Sequence, residues 1–147
     1  MKKGTTNVLV AGVGGQGVIL ASDIMSEVFM EAGYDVKWMI SFDWSGVLSI
    51  VLEDESTRNG FLQLLDQLAD CRAKIFITSD GDPQGILGEA QKLLGRDAVE
   101  KYGITAIKPN IRQGKADVLA EKREELFSGQ DVSIIHFDDS VNNLYNF

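Results

Sequence analysis

The chain has 147 residues, 44% of them hydrophobic and 24% charged, with a formal charge of −8. That length supports one domain with its own core, and the acidic balance excludes a nucleic-acid surface, which needs a basic stripe. Cys71 is the single cysteine and His136 the single histidine, so an internal disulfide and a conventional His/Cys zinc site are both excluded.

The opening "MKKGTTN" lacks the apolar core of a signal peptide, and no apolar run approaches the ~20 residues of a membrane span. The expected location is cytoplasmic, with neither membrane nor nucleic acid as partner. Residues 7–12 ("NVLVAG") read as a buried strand, followed by a helical pattern over 16–32. A second strand covers 36–42 ("VKWMISF") and a second helix 57–70. "KIFITS" (74–79) is the third strand, followed by a helix over 84–101. A weaker strand lies in 103–109, a helix in 114–127, and the last strand is "VSIIHF" at 132–137. Such alternation predicts an α/β, three-layer Rossmann-like domain, with a five-stranded parallel sheet and helices on both faces. The expected spatial order is 7–12, 132–137, 36–42, 74–79, 103–107, with pairing of 7–12 against 36–42 as the second arrangement. Pro83 and Pro109 fall just beyond strand ends, in loops leading into helices.

The first turn carries Gly12, Gly14, Gly15 and Gly17 between strand and helix. Gly12-x-Gly14-x-x-Gly17 fits the dinucleotide fingerprint, in which glycines let a phosphate approach the backbone at a helix start. The acidic residue expected about 20 positions later has poor candidates, Asp35 and Asp43. Close helix–strand packing is therefore preferred to a bound nucleotide.

Residues 7–37 ("NVLVAGVGGQG…AGYDVK") resemble the start of the gamma-type subunit of 2-oxoacid (indolepyruvate):ferredoxin oxidoreductases. From residue 38 the chain resembles a different family, the haloacid dehalogenase-like hydrolases. Four segments carry that likeness in order. They are Asp43-Trp44-Ser45-Gly46-Val47-Leu48 after a strand, "KIFITS" ending at Ser79, a lysine (Lys115, preferred to Lys108), and "SIIHFDD" with Asp138 and Asp139. Asp43 alone suits a turn, and a pair of acids alone suits a helix cap. At the ends of two apolar strands they point to one site.

The second resemblance implies a phosphohydrolase-type activity on a small phosphorylated molecule. Asp43 would attack phosphorus, and Ser79 and Lys115 would hold the phosphoryl oxygens. Mg²⁺ would bind among Asp43, Asp138 and Asp139, with the carbonyl of residue 45. Ser45 departs from the pattern, because the family carries a second Asp there as general acid and base. A hydroxyl of ordinary pKa does that work badly, at a cost of ~10²–10⁴ in rate. The expectation is an impaired or inactive site. Only eight residues follow Asp139, whereas the hydrolase pattern continues into a final edge strand. The two likenesses meeting at 37–38 imply a single domain assembled from a 1–37 unit and a 38–147 core, by natural or engineered recombination.

Overall fold

A computed structural model of the chain describes residues 24, 27, 28, 37–130 and 132–140. Within them a parallel sheet contains β1 (Trp38–Phe42), β2 (Lys74–Thr78), β3 (Thr105–Ile107) and β4 (Ser133–Phe137), in the order β3-β2-β1-β4. Four strands are present among the described residues, not five. The expected strand 7–12 lies outside them, and of the expected helix 16–32 only residues 24, 27 and 28 are described, all three helical. The order of the other four is the expected one. Chain direction explains it: β1, β2 and β3 step outward on one side, then the chain returns across the sheet to place β4 against the opposite side of β1. That reversal opens a crevice at the carboxyl ends of β1 and β4, where ligands bind in such sheets.

From residue 37 onward the described residues form helices α1 (Ser49–Glu53), α2 (Glu55–Asp70), α3 (Pro83–Leu94), α4 (Arg96–Lys101) and α5 (Lys115–Phe127). The expected helix over 84–101 is thus two. Gly95, at φ 92°, lies outside helical space and breaks it. Local chemistry starts α2 and α3. Asp54 accepts from Thr57 N at 2.9 Å and Asp82 from Gly85 N at 2.8 Å, each relieving a helix start of an unpaired donor. Pro83 follows Asp82 at the first helical position, where its missing N–H costs nothing.

Side-chain alternation along each strand divides the core between the two faces of the sheet. Trp38, Ile40, Phe42, Ile75, Ile77 and Ile135 pack with Leu52, Phe61, Leu65, Ile86 and Val99 from α1–α4. Met39, Phe76 and Ile107 pack on the opposite face with Val118 and Leu119 of α5. The second cluster is the smaller because its face changes character along the strands. Toward the carboxyl ends Ser41, Thr78 and His136 replace apolar residues, and all three are buried.

Candidate active site

Three strand ends and one helix start supply the site. Asp43 follows β1, and its N–H donates to Phe137 O at 2.8 Å, so the β1–β4 pairing reaches the candidate residue itself. Ser79 follows β2 and donates its N–H to Ile107 O at 3.1 Å. Asp138 and Asp139 follow β4, and Lys115 is the first residue of α5. Together with Ser45, Gly46 and Asp80, Asp43, Ser79, Lys115 and Asp139 line a cavity of about 400 Å³.

A wide turn carries the chain from β1 into α1, closed by Leu48 N donating to Asp43 O at 3.1 Å across five residues. Such π-type turns are uncommon and gather at functional sites. Inside it Ser45 (φ −75°, ψ 126°) and Gly46 (φ 76°, ψ −9°) have the angles of a type II turn, whose third position favours glycine. Space imposes the same choice. A methyl group on Gly46 would overlap Asp139 Oδ2 and lie 2.9 Å from its Cγ. Gly46→Ala is therefore expected to cost about 1–3 kcal/mol, combining backbone strain with displacement of a carboxylate. Urea denaturation measures it; a loss below a few tenths of a kcal/mol would show that the turn tolerates a side chain.

An ion cluster occupies the floor of the cavity. Lys115 Nζ stands 2.9 Å from Asp43 Oδ1 and 2.6 Å from Asp138 Oδ2, and all three side chains are less than a tenth exposed. Burial raises the Asp43 pKa above the ordinary carboxylate value, with the Lys115 hydrogen bond opposing it. Burial also works against the Lys115 ammonium, but hydrogen bonds to Asp138 and Asp43 outweigh it and hold its pKa above the usual lysine value. Asp43, Asp138 and Asp139 each offer an oxygen within 4.8 Å of the others. Two carboxylates pair with the one ammonium and a third lies close to them, and hard oxygen donors so near one another suit a divalent cation such as Mg²⁺. Asp43 and Asp139 line the cavity. Asp138 lies behind them, accepting from Lys115 and His136 on Oδ2 and from Ser140 N on Oδ1.

Behind Asp138 the polar strip continues into the sheet. His136 Nε2 is 3.0 Å from Asp138 Oδ2, His136 Nδ1 is 3.1 Å from Ser41 Oγ, and Ser41 Oγ is 2.6 Å from Thr78 Oγ1. Burial pushes the His136 pKa down, against the hydrogen bond to Asp138, and so favours the neutral ring. Asp138 Oδ2 is an acceptor, so a single ring proton satisfies it from Nε2; that tautomer leaves Nδ1 to accept from Ser41 Oγ and lets Ser41 accept from Thr78.

Asp43, Ser45, Ser79, Lys115, Asp138 and Asp139 thus gather at one end of the sheet, although they span 97 residues of chain. Lys115 is the lysine of the site, whereas Lys108 is exposed. Gly12, Gly14, Gly15 and Gly17 lie outside the described residues. Sequence patterning marks His136 as a packed strand histidine. It is packed, but Ser41 and Thr78 also join it in a chain reaching Asp138. Their signal was the polar residue in each apolar run, "MISF", "FITS" and "IIHF", one place before its end.

A protein-family model described as pyruvate ferredoxin/flavodoxin oxidoreductase matches residues 7–45. The match supports the oxidoreductase-like reading of the first segment and runs beyond residue 37, through β1 as far as Ser45. No curated protein matches the chain, and no solved structure does. Among the described residues no helix is long and apolar enough to cross a membrane.

Proposed function

We propose that the cavity at the ends of β1, β2 and β4 is a Mg²⁺-dependent phosphohydrolase-type site, with Asp43 as nucleophile, and that Ser45 leaves it impaired. One observation carries this reading: a buried carboxylate at a strand end is paired with a buried lysine 72 positions later, beside a second acidic pair. A structural turn or helix cap would require no such convergence. In this reading an Asp43 oxygen attacks phosphorus, the bond to the leaving alkoxide or phenoxide breaks, and an aspartyl-phosphate remains for water to cleave. Lys115 opposes the burial that raises the Asp43 pKa and, with Ser79, faces the phosphoryl oxygens. Asp43 and Asp139 would hold Mg²⁺, which would offset phosphate charge in a cavity that is otherwise acidic. Ser45 occupies the position from which a proton must reach the leaving oxygen, and a hydroxyl supplies it poorly.

Thermal melts with millimolar Mg²⁺ test the reading. A cation that binds the folded chain should raise Tm by about 2–4 °C, and Asp43→Asn should remove that shift. An unchanged Tm, or equal shifts in both proteins, would count against the site. The family match over residues 7–45 favours a second reading, in which an oxidoreductase-like segment is joined to a core with no selected activity. Calorimetry then discriminates. Binding of NAD or ATP without Mg²⁺ binding would move function to the Gly12–Gly17 turn, and silence toward all three would favour the inactive recombinant.

A further inference from the structure

We infer that His136 is a positioning residue for Lys115: through Asp138 it sets where the ammonium stands beside Asp43, while Ser41 and Thr78 fix which ring nitrogen carries the proton. The inference rests on the phosphohydrolase-type reading for its catalytic meaning, although the contacts themselves stand apart from it.

A lysine is a poor device for precise placement when left to itself. Its charge sits at the end of a flexible four-carbon stem and can rotate among acceptors. Here the stem starts at the first residue of α5, and the ammonium is caught between two carboxylates, Asp43 Oδ1 at 2.9 Å and Asp138 Oδ2 at 2.6 Å. The position of Lys115 is therefore only as definite as that of Asp138. Asp138 is held at both oxygens: Oδ1 by Ser140 N at 2.8 Å, and Oδ2 by His136 Nε2 at 3.0 Å. Ser140 belongs to the same loop and moves with it. His136 is in β4, paired with Ser41 of β1 in the sheet, and reaches Asp138 from the rigid part of the fold.

Packing alone does not account for a histidine at this position. Ile134, two places earlier on the same face, packs against the apolar cluster beneath α5. At position 136 an imidazole is buried to 1% exposure and hydrogen-bonded at both nitrogens. The partners also agree in direction. In the Nε2–H tautomer Thr78 can donate to Ser41 and Ser41 to Nδ1, and the ring proton faces the carboxylate that holds the lysine. Reversing that order would aim a bare nitrogen at Asp138.

Two substitutions separate positioning from packing. His136→Phe keeps a ring and loses every donor. His136→Gln loses the ring and keeps an amide N–H able to reach Asp138. The readout is the rate at which acetic anhydride acylates Lys115 in the full chain, mapped by peptide mass with exposed Lys108 as internal reference. Phe should raise the Lys115 rate about tenfold, the scale of a lost hydrogen bond to a charged group, and Gln should stay within about threefold of wild type. Gln as damaging as Phe, or Phe without effect, overturns the inference. Wild-type protein alone gives a second measurement that does not depend on either variant folding. Imidazole ¹⁵N shifts should report the Nε2–H tautomer, and the Nδ1–H tautomer would overturn the inference. Titration with inorganic phosphate in the presence of Mg²⁺ keeps the two ideas apart. Phosphate binding that weakens about tenfold in Phe but not in Gln supports both. No phosphate binding by wild type, with the acylation pattern as expected, rejects the phosphohydrolase reading and upholds His136 as the residue that places Lys115.

Discussion

Ser45→Asp is expected to raise turnover of p-nitrophenyl phosphate by at least tenfold over the parent chain. General acid–base help is worth ~10²–10⁴ in such steps, and the new carboxylate would enter on the correct spacing, two residues beyond Asp43. Nothing in the backbone opposes it. Ser45 is exposed at the cavity and sits at φ −75°, ψ 126°, angles that any residue adopts. The introduced carboxyl group, while protonated, could give its proton to the departing oxygen. Once ionised, it could draw a proton from the water that cleaves the aspartyl-phosphate. Recovery should remain partial, because placement to a fraction of an ångström governs such steps and the parent turn was not shaped around a carboxylate. Asp43→Asn in the Ser45→Asp background should abolish the gain, since the nucleophile precedes every later step. A Ser45→Asp chain as inert as the parent, while Mg²⁺ still raises Tm, would place the defect in geometry instead of in one residue.

Lys115→Met should destabilise the fold by about 3 kcal/mol, because removing one member of a buried ion cluster strands its partners. Met fills similar volume, so the loss is electrostatic and not a cavity. Asp43 and Asp138 would then face one another with no ammonium between them, both buried. Urea denaturation should show a midpoint lower by about 1–2 M, with an unchanged slope. The deficit should depend on pH in a definite sense. Burial already raises the Asp43 pKa, and loss of Lys115 removes the hydrogen bond that opposes it. With its folded pKa above the unfolded 3.8, the folded state holds the extra proton, so stability falls as pH rises through the folded pKa. The variant should therefore come closest to wild type at about pH 4 and fall furthest behind near neutrality. Adding Asp138→Asn should restore part of the loss at neutral pH, since neighbours in one cluster do not act additively. A flat pH response would mean that Asp43 and Asp138 titrate alike in the folded and unfolded variant, and would overturn the expectation.

Much of this arrangement is legible in the sequence, for reasons that differ by residue. β1, β2 and β4 announce themselves as short β-branched and aromatic runs, β3 does so more weakly, and their order follows from the direction of the crossovers. Asp43, Ser79 and the Asp138–Asp139 pair are visible because each ends such a run. Lys115 is harder, since a lysine at a helix start is ordinary, and its burial depends on which strand end the helix begins over. The break at Gly95 escapes notice because the residues on both sides keep a helical apolar period. The partnership of Gly46 with Asp139 is beyond reach, because it joins positions 93 apart through a distance and not a pattern. His136 is legible as buried, but its direction toward Asp138 depends on the pairing of β1 with β4.

That pairing gives the buried polar strip a second consequence, for the choice among competing strand alignments. Trp38 to Phe42 stand opposite Ser133 to Phe137 one for one, so Ser41 meets His136. Sliding β4 by a single residue inverts which side chains face each side of the sheet. His136 would then enter the apolar cluster of Phe42 and Ile77 with no acceptor, while Ile135 or Phe137 would be set against Ser41 and Thr78. An all-apolar β4 would fit either alignment almost equally well, because hydrophobic contact is non-directional. Donors and acceptors are not so tolerant, and an unmatched buried polar group costs about 1–3 kcal/mol. Ser41, Thr78 and His136 thus act as a key cut for one alignment, and the alignment they select is the one that brings Asp138 to Lys115.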